Sequence, residues 1–314
     1  VWKHASAAVY RTIGDPRDLQ TCPPLDASRL PAEGLAPARH SYFNLHGVED
    51  GPEWYGQRAH DDPPTLPEYP VALRPGDVAN SGRAPAIVFS EACYGAHIIG
   101  KSANDALCLR FLEAGSRAVI GSTKIAYGSV SEPLIGADLL GQCVWQNIAA
   151  GLPVGEALRL AKLQTAQEMH TRQGFLDGED QKTLIAFVLY GDPLAVSDRQ
   201  PESAARLAKQ RALRFTAPRP RLATPAAVPL EGALSPETVA SIKTLVAQYL
   251  PEMRDAELRA ARLRAVPANA KRAGKRATTV TLSKTIHVSN RAHAHFARVT
   301  LDEAGQVVKL SVSR

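Results

Sequence analysis

Short apolar runs alternate with segments of helical periodicity along the first 196 residues. Four runs predict strands, at residues 41–45 (SYFNL), 86–90 (AIVFS), 117–122 (RAVIGS) and 184–190 (LIAFVLY). Between them, apolar side chains recur every three or four positions and predict helices over 102–114, 133–150 and 154–170. Strands alternating with helices predict an α/β fold, whose mainly parallel sheet is flanked by helices on both faces.

The pattern changes after Val196. Residues 199–234 are rich in proline and arginine and predict a linker. Ser235-Pro236-Glu237 predicts the start of a helix that reaches about Leu250. A second short helix is predicted at 252–265, followed by strands at 278–288, 295–301 and 307–312. We therefore predict a first domain at 1–198, a linker at 199–234 and a small α+β domain at 235–314.

Charge is distributed unevenly between these parts. Residues 1–200 carry 17 Lys and Arg against 23 Asp and Glu, so their formal charge is −6. Residues 201–314 carry 20 basic and 8 acidic residues, so theirs is +12. The basic part has no interleaved aromatics or nucleic-acid motif, and we expect no nucleic-acid partner. We expect it instead to dock on the acidic first domain or on another acidic partner.

The chain contains four scattered cysteines and no long apolar segment. Because Cys22, Cys93, Cys108 and Cys143 form no CxxC pair, a disulfide scaffold and a four-thiolate zinc site are excluded. We expect Cys108 and Cys143 to pack in the core and Cys22 to be the most exposed. No stretch reaches the roughly 18 apolar residues of a membrane span.

Candidate chemistry follows two of the predicted strands. Parallel sheets place ligands at the carboxyl ends of their strands, and these positions hold His46-Gly47 and Glu91-Ala92-Cys93. A nucleophilic thiol needs a base within reach and donors for an oxyanion. Neighbouring strand ends lie about 5 Å apart, so His46 and Cys93 can converge over one site. The backbone N–H groups of Gly47 and Cys93 are the natural oxyanion donors.

Several motifs resemble the caspase-like clan of cysteine peptidases, and most of all its gingipain type. The residues that carry the resemblance are FNLHG at 43–47, SEACYG at 90–95, FLEAGSRAVIGST at 111–123, GADLLGQCVWQNIAAGLPVGEALRLAK at 136–162 and VLYGDP at 188–193. The resemblance covers about residues 1–196 and none of 201–314. It implies a cysteine endopeptidase, with protein or peptide substrates, in which His46 is the catalytic histidine and Cys93 the nucleophile.

The resemblance also implies a mechanism and a maturation route. Cys93 would attack the scissile carbonyl and form a thioester, which water activated by His46 would hydrolyse. Glu91 is a candidate supporting carboxylate and Tyr127 a candidate pocket residue. A basic P1 preference fits the acidic domain. Caspase-like sheets generally have about six strands, and the pattern predicts only four. We therefore expect an N-terminal chain of a larger precursor to complete the sheet, as in an autoprocessed zymogen.

Other readings remain open at this point. A catalytically silent, CHAT-like interaction or regulatory module is the alternative function. Gingipain-type enzymes are typically exported and CHAT-type ones cytoplasmic, so the compartment stays undetermined. We expect no cofactor, apart from a structural Ca²⁺ ion at Glu49-Asp50 and Asp61-Asp62 as an open alternative. His293 and His295 share one face of a predicted strand, and without a third ligand we interpret them as surface histidines.

Overall fold

The computed structural model describes residues 2–30, 39–81, 84–197, 223–229, 234–265 and 276–314. In these residues the helices are α1 (Lys3–Tyr10), α2 (Pro75–Ser81), α3 (Leu107–Glu113), α4 (Gly136–Ala149), α5 (Val154–Gln173), α6 (Gly178–Ala186) and α7 (Pro236–Tyr249). The strands are β1 (His40–Phe43), β2 (His46–Gly47), β3 (Trp54–Tyr55), β4 (Val71–Leu73), β5 (Ile87–Ser90), β6 (Ala118–Ser122), β7 (Tyr127–Gly128), β8 (Phe187–Gly191), β9 (Ala223–Pro229), β10 (Glu257–Ala265), β11 (Arg276–Val288), β12 (Arg291–Leu301) and β13 (Val307–Ser313). Short 3-10 helices cover Pro16–Asp18 and Pro251–Asp255.

A four-stranded sheet in the order β1-β5-β6-β8 forms the centre of the first domain. β1, β5 and β6 run parallel, whereas β8 pairs antiparallel with β6. Side chains of β5 alternate between two cores: Ile87 and Phe89 pack with α1, α4 and α5, and Val88 packs with α3. The predicted α/β fold with helices on both faces is therefore confirmed.

β1 forms one edge of this sheet. In the part of the chain that the structure describes, β1 pairs with β5 alone. The expected completion of the sheet by a separate N-terminal chain stays a prediction.

The C-terminal residues form a second, antiparallel sheet in the order β7-β13-β12-β11-β10-β9, and α7 packs on it. The predicted strands at 278–288, 295–301 and 307–312 are present, with longer bounds. The predicted helix over 252–265 is wrong, because Glu257–Ala265 is a strand between β9 and β11. The predicted linker contains β9, and residues 198–222 and 230–233 lie outside the described residues, as does the basic run at 271–275.

We call residues 223–229, 234–265 and 276–314 the C-terminal module. It packs directly on the first domain: Ile286 and Val288 share an apolar cluster with Val48, Tyr55 and Tyr69. Basic side chains of the module also meet acidic ones of the first domain, in the pairs Arg291–Glu53, Arg298–Glu179, Lys309–Asp177, Lys309–Asp180, Arg314–Glu91 and Arg314–Asp138. The predicted docking of the basic part on the acidic domain is therefore confirmed.

None of the helices in the described ranges combines the length and apolar character needed to cross a bilayer.

Candidate active site

The segments after β1 and β5 meet at the carboxyl edge of the central sheet. His46 and Gly47 form the short strand β2, and Cys93 lies three residues after the end of β5. A Cβ atom on Gly47 would lie 2.0 Å from the carbonyl oxygen of Cys93. Only glycine permits this approach, so the two segments that the sequence singled out are in direct backbone contact.

Cys93 lies in a tight reverse turn. Tyr94 adopts φ 56°, the left-handed region that non-glycine residues rarely occupy, and Gly95 N–H donates to the Ala92 carbonyl at 3.0 Å. The Ala126 N–H donates to Cys93 Sγ at 3.2 Å. Burial nevertheless raises the pKa of Cys93 to about 12, against the lowering effect of Ala126 and of the Arg314 main chain. The thiol is therefore held protonated in this arrangement.

His46 is equally buried, with 1% of its surface exposed. Its Nε2 lies 3.0 Å from Gln57 Oε1, and Gln57 Nε2 donates to Glu252 at 2.9 Å. Because the Gln57 amide nitrogen is bound to Glu252, the Gln57 Oε1 faces His46 and accepts a hydrogen bond from its Nε2–H. The lone pair of the neutral His46 ring therefore lies on Nδ1. Burial lowers the pKa of His46 to about 4, and the Gln57 hydrogen bond opposes this shift. The imidazole is thus a neutral base, with Nδ1 buried and without a hydrogen-bond partner.

The paired histidines of β12 do not lie on the surface. His293 and His295 are both buried, and the His295 ring lies 5.6 Å from the His46 ring. The expectation of two surface histidines is therefore wrong, because the module turns this face of β12 onto the first domain. Within the described ranges, no group of three or more His, Cys, Asp or Glu residues is arranged to hold a metal ion.

A buried acidic pocket adjoins the thiol and imidazole. Glu91 and Asp138 are both fully buried, and the guanidinium of Arg314 lies between them. Arg314 Nη2 donates to Asp138 at 2.6 Å and to the Ser129 carbonyl at 2.8 Å, and its Nε lies 3.4 Å from Glu91. The guanidinium also stacks on the Trp2 ring, 4.0 Å from its centroid.

The two carboxyl groups of this pocket interact with each other. Burial raises the pKa of Glu91 well above its ordinary range, and the charge of Asp138 raises it further, while Arg314 opposes the shift. Tyr42 donates to Glu91 at 2.6 Å, and Asp138 accepts from the Ser129 N–H at 2.6 Å. Because a buried carboxyl pair resists double ionisation, the raised pKa of Glu91 favours a protonated Glu91 in this pocket.

Tyr127, the candidate pocket residue, lies in β7 beside this pocket. β7 pairs antiparallel with β13, with Tyr127 opposite Ser313 and Gly128 opposite Val312. The Arg314 N–H continues this pairing by donating to the Ala126 carbonyl at 3.1 Å. The main chain of Arg314 therefore passes close to both His46 and Cys93, where it raises the pKa of the first and lowers that of the second.

Asp138, Gln57 and Arg314 were not singled out from the sequence. Asp138 lies in the first turn of α4, where an acidic residue is an ordinary helix feature. Gln57 lies in the long segment after β2, and Arg314 is 221 positions from Cys93 in sequence. The sequence offered one usable signal: Asp138 is the only charged residue of α4.

The acidic residues considered for a calcium ion make ion pairs and hydrogen bonds within the protein. Lys124 pairs with Glu49 at 3.5 Å, and Asp62 accepts from the Ala59 N–H at 2.7 Å. A calcium ion at these acidic residues stays a prediction.

Cys108 and Cys143 are buried, as predicted, and Cys22 is half-buried.

A thiol and an imidazole at the carboxyl edge of a parallel sheet are typical of cysteine hydrolases. Residues 73–196 match the family model described as Peptidase family C25, the gingipain family. The match includes Glu91, Cys93 and Asp138 but does not extend to His46. It supports a cysteine peptidase of this family, hence a hydrolase with a protein substrate. A search of curated proteins found no match to the chain.

Proposed function

We propose that the protein is a cysteine endopeptidase whose catalytic dyad is His46 and Cys93. One arrangement supports this proposal: the Arg314 N–H donates to the Ala126 carbonyl, the Ala126 N–H donates to Cys93 Sγ, and the Arg314 side chain fills an acidic pocket. A substrate would present its scissile carbonyl to Cys93 in the same way, with its P1 side chain in the same pocket.

The pKa values set the order of the proton transfers in this mechanism. Because burial favours the neutral forms of both groups, His46 Nδ1 takes the thiol proton as Cys93 Sγ attacks the carbonyl carbon. The N–H groups of Gly47 and Cys93 stabilise the oxyanion. His46 then gives its proton to the leaving amine, and a thioester remains. His46 removes a proton from water, and the hydroxide displaces Cys93 as a thiolate and releases the carboxylic acid product. His46 then returns the proton to the Cys93 thiolate, which restores both neutral groups.

Arginine is the P1 side chain that the pocket fits best. Asp138 and the Ser129 carbonyl present two acceptors to one guanidinium nitrogen, and the Trp2 ring provides a stacking face. A lysine ammonium has no Nε–H to face Glu91 and no planar face to stack on the Trp2 ring. We therefore propose a basic P1 preference in which arginine exceeds lysine.

Proteolytic maturation from a larger precursor is also part of the proposal. The burial of His46 and Cys93 beneath the C-terminal module supports it, because the described arrangement gives a substrate no access. An N-terminal chain that pairs with the outer side of β1 belongs to the same proposal.

The dyad is tested by comparing Cys93→Ala, His46→Gln and the control Cys108→Ser, each in an Arg314→Ala background that empties the acidic pocket. Cleavage of a fluorogenic peptide set should be abolished in the first two variants and retained in the third, whose thiol lies in a separate apolar core. Alkylation at Cys93, followed by mass spectrometry, reports the thiol independently. Folded Arg314→Ala protein that neither cleaves any peptide nor is labelled at Cys93 would leave the silent interaction module as the better account.

A further inference from the structure

We propose that β13 together with Arg314 is a tethered, substrate-like inhibitor of the chain's own active site. This inference rests on the proposed peptidase function and adds a regulatory contact to it. It assigns a role to the C-terminal module, which lies outside the region matched by the peptidase family model.

The backbone of the segment binds as an extended peptide binds to a sheet edge. Val312 and Ser313 pair antiparallel with Gly128 and Tyr127, and the Arg314 N–H donates to the Ala126 carbonyl at 3.1 Å. Adding a strand in this way is a general mode of peptide recognition. The pairing delivers the Arg314 main chain to Cys93 and His46, so the segment follows the path that the mechanism assigns to a substrate.

The Arg314 side chain occupies a site that is shaped for it. A fully buried guanidinium is costly unless its charge and hydrogen bonds are satisfied. Here Asp138 and Ser129 accept from Nη2 and the Trp2 ring stacks on the group, while Nη1 has no hydrogen-bond partner among the described residues. Gly128 leaves the necessary room, since a Cβ there would lie 2.2 Å from Arg314 Nη2. Ordinary core packing does not explain an arginine placed in this way.

Contacts outside the cleft hold the segment in position. Lys309 of β13 is buried and donates to Asp177 at 2.7 Å and to Asp180 at 2.7 Å. Ser313 Oγ accepts from the Phe296 N–H of β12 at 2.9 Å, which ties the segment to the rest of the module. A tethered ligand acts at an effective concentration in the millimolar range, so free peptides at micromolar concentration compete poorly.

Access to the thiol therefore requires the edge of the module to leave β7. In the docked arrangement Cys93 and His46 are each 1% exposed. An alkylating reagent or a peptide reaches Cys93 only in the undocked fraction. Minor conformations of this kind are populated at roughly 0.1–10%. Variants that undock the segment should accordingly increase the rate of Cys93 alkylation on the order of tenfold or more.

The experiment measures iodoacetamide labelling of Cys93 and cleavage of an arginyl fluorogenic peptide at pH 8 in four proteins. These are wild type, Arg314→Ala, Gly128→Ala and the matched control Arg259→Ala. Arg259 is exposed, lies on β10 of the same sheet and pairs only locally with Glu257 in the contacts described. Gly128→Ala removes no charge but pushes the Arg314 guanidinium and the Asp138 carboxylate apart, and it provides a second route if Arg314→Ala does not fold.

Arg314→Ala should increase both Cys93 labelling and cleavage of the arginyl peptide. Gly128→Ala should increase labelling without a gain in cleavage, because the methyl group also fills the pocket that a substrate arginine needs. Arg259→Ala should match wild type in both. Circular dichroism and thermal unfolding confirm that each protein is folded.

The two proposals fail in different ways. Equal labelling and equal arginyl-peptide cleavage in wild type and folded Arg314→Ala would overturn the tethered inhibitor and leave the peptidase standing. Increased Cys93 labelling in Arg314→Ala with no cleavage of any peptide would show that the segment covers the thiol and would overturn the peptidase proposal. Increased labelling in Arg259→Ala as well would overturn the inhibitor, because the effect would then be a general loosening of the module.

Discussion

At the scale of single residues, the site depends on how two buried carboxyl groups share one charge. Asp138 makes the short contact to the Arg314 guanidinium, and Glu91 lies farther from it. The raised pKa of Glu91 favours its protonated form, which keeps the pocket close to one negative charge. One carboxylate balances one guanidinium, so an arginine enters this pocket without leaving a second buried charge unpaired.

This division of charge predicts different effects of two isosteric substitutions. In the Arg314→Ala background, Asp138→Asn should lower kcat/KM for arginyl peptides by about 30-fold to several thousand-fold, since losing one partner of a buried charge pair costs about 2–5 kcal/mol. Glu91→Gln should lower it by less than about tenfold, because the amide resembles the protonated acid. Steady-state kinetics on arginyl and glutaminyl peptides measure both. A larger loss in Glu91→Gln would contradict the assignment.

The catalytic candidates were accessible from the sequence, whereas the pocket was not. His46 and Cys93 each follow an apolar run, and the carboxyl ends of parallel strands lie side by side. Asp138 is brought to Glu91 by the packing of α4 on the central sheet, and Arg314 by the pairing of β13 with β7. Neither contact leaves a periodic signal in the sequence, because both join residues that are far apart along the chain.

At the scale of secondary structure, the strongly patterned elements were predictable and several others, among them α6 and β10, were not. All four strands of the central sheet were located within a few residues. α6 was missed because its last residues, Leu184 to Ala186, continue into the apolar run of β8, although the capping box of Asp177 and Asp180 was present. β10 (ELRAARLRA) has helix-forming residues, and pairing with β9 and β11 overrides that preference.

The contact between β2 and the Cys93 turn predicts that Gly47 cannot be replaced. Gly47→Ala would place a methyl group 2.0 Å from the Cys93 carbonyl oxygen, and the resulting displacement should cost about 1–3 kcal/mol in the free energy of unfolding. Peptidase activity should also fall, because the added methyl group separates β2 from the Cys93 turn. Urea denaturation and peptide cleavage measure the two effects.

Gly76→Ala is the matched control for this substitution. Gly76 lies in α2, where the described residues outside the helix backbone leave open space around the position of a Cβ, so alanine should stabilise the protein by about 0.5–1 kcal/mol. An unchanged free energy of unfolding and full activity in Gly47→Ala would show that the two segments are not in the contact described.

At the scale of the whole molecule, the C-terminal module links access to the site with its protonation state. The module covers His46 with His295 and with Glu252 through Gln57, and it covers Cys93 with Arg314. The resulting burial raises the pKa of Cys93 to about 12 from an ordinary value of 9.0. Cys93 therefore has the lower pKa in the undocked state. Raising the pH above about 9 ionises the undocked thiol and so weakens docking of the module.

The pH dependence of Cys93 alkylation tests this link. In wild type, the labelling rate should continue to rise well beyond pH 9, because the docked thiol stays protonated. In Arg314→Ala, the apparent pKa of Cys93 should fall towards 9 or below, since solvent and His46 then stabilise the thiolate. Mass spectrometry resolves each cysteine over pH 6–10.

Cys108 provides an internal control in the same samples. Burial in its own apolar core raises its pKa to about 11, and the described residues that form this core all belong to the first domain. Its labelling profile should be the same in both proteins. A Cys93 profile that is equally unchanged would contradict a role for the module in burying the thiol.

The central claim is that Cys93 cleaves peptide bonds after arginine, and a P1 panel tests it most directly. Peptides that differ only in P1 as Arg, Lys, Gln or Asp are incubated with Arg314→Ala and with Arg314→Ala/Cys93→Ala. We expect cleavage of the arginyl peptide, slower cleavage of the lysyl peptide, and no cleavage of any peptide without Cys93. Arginyl cleavage that persists without Cys93, or a preference for Gln or Asp, would contradict the account.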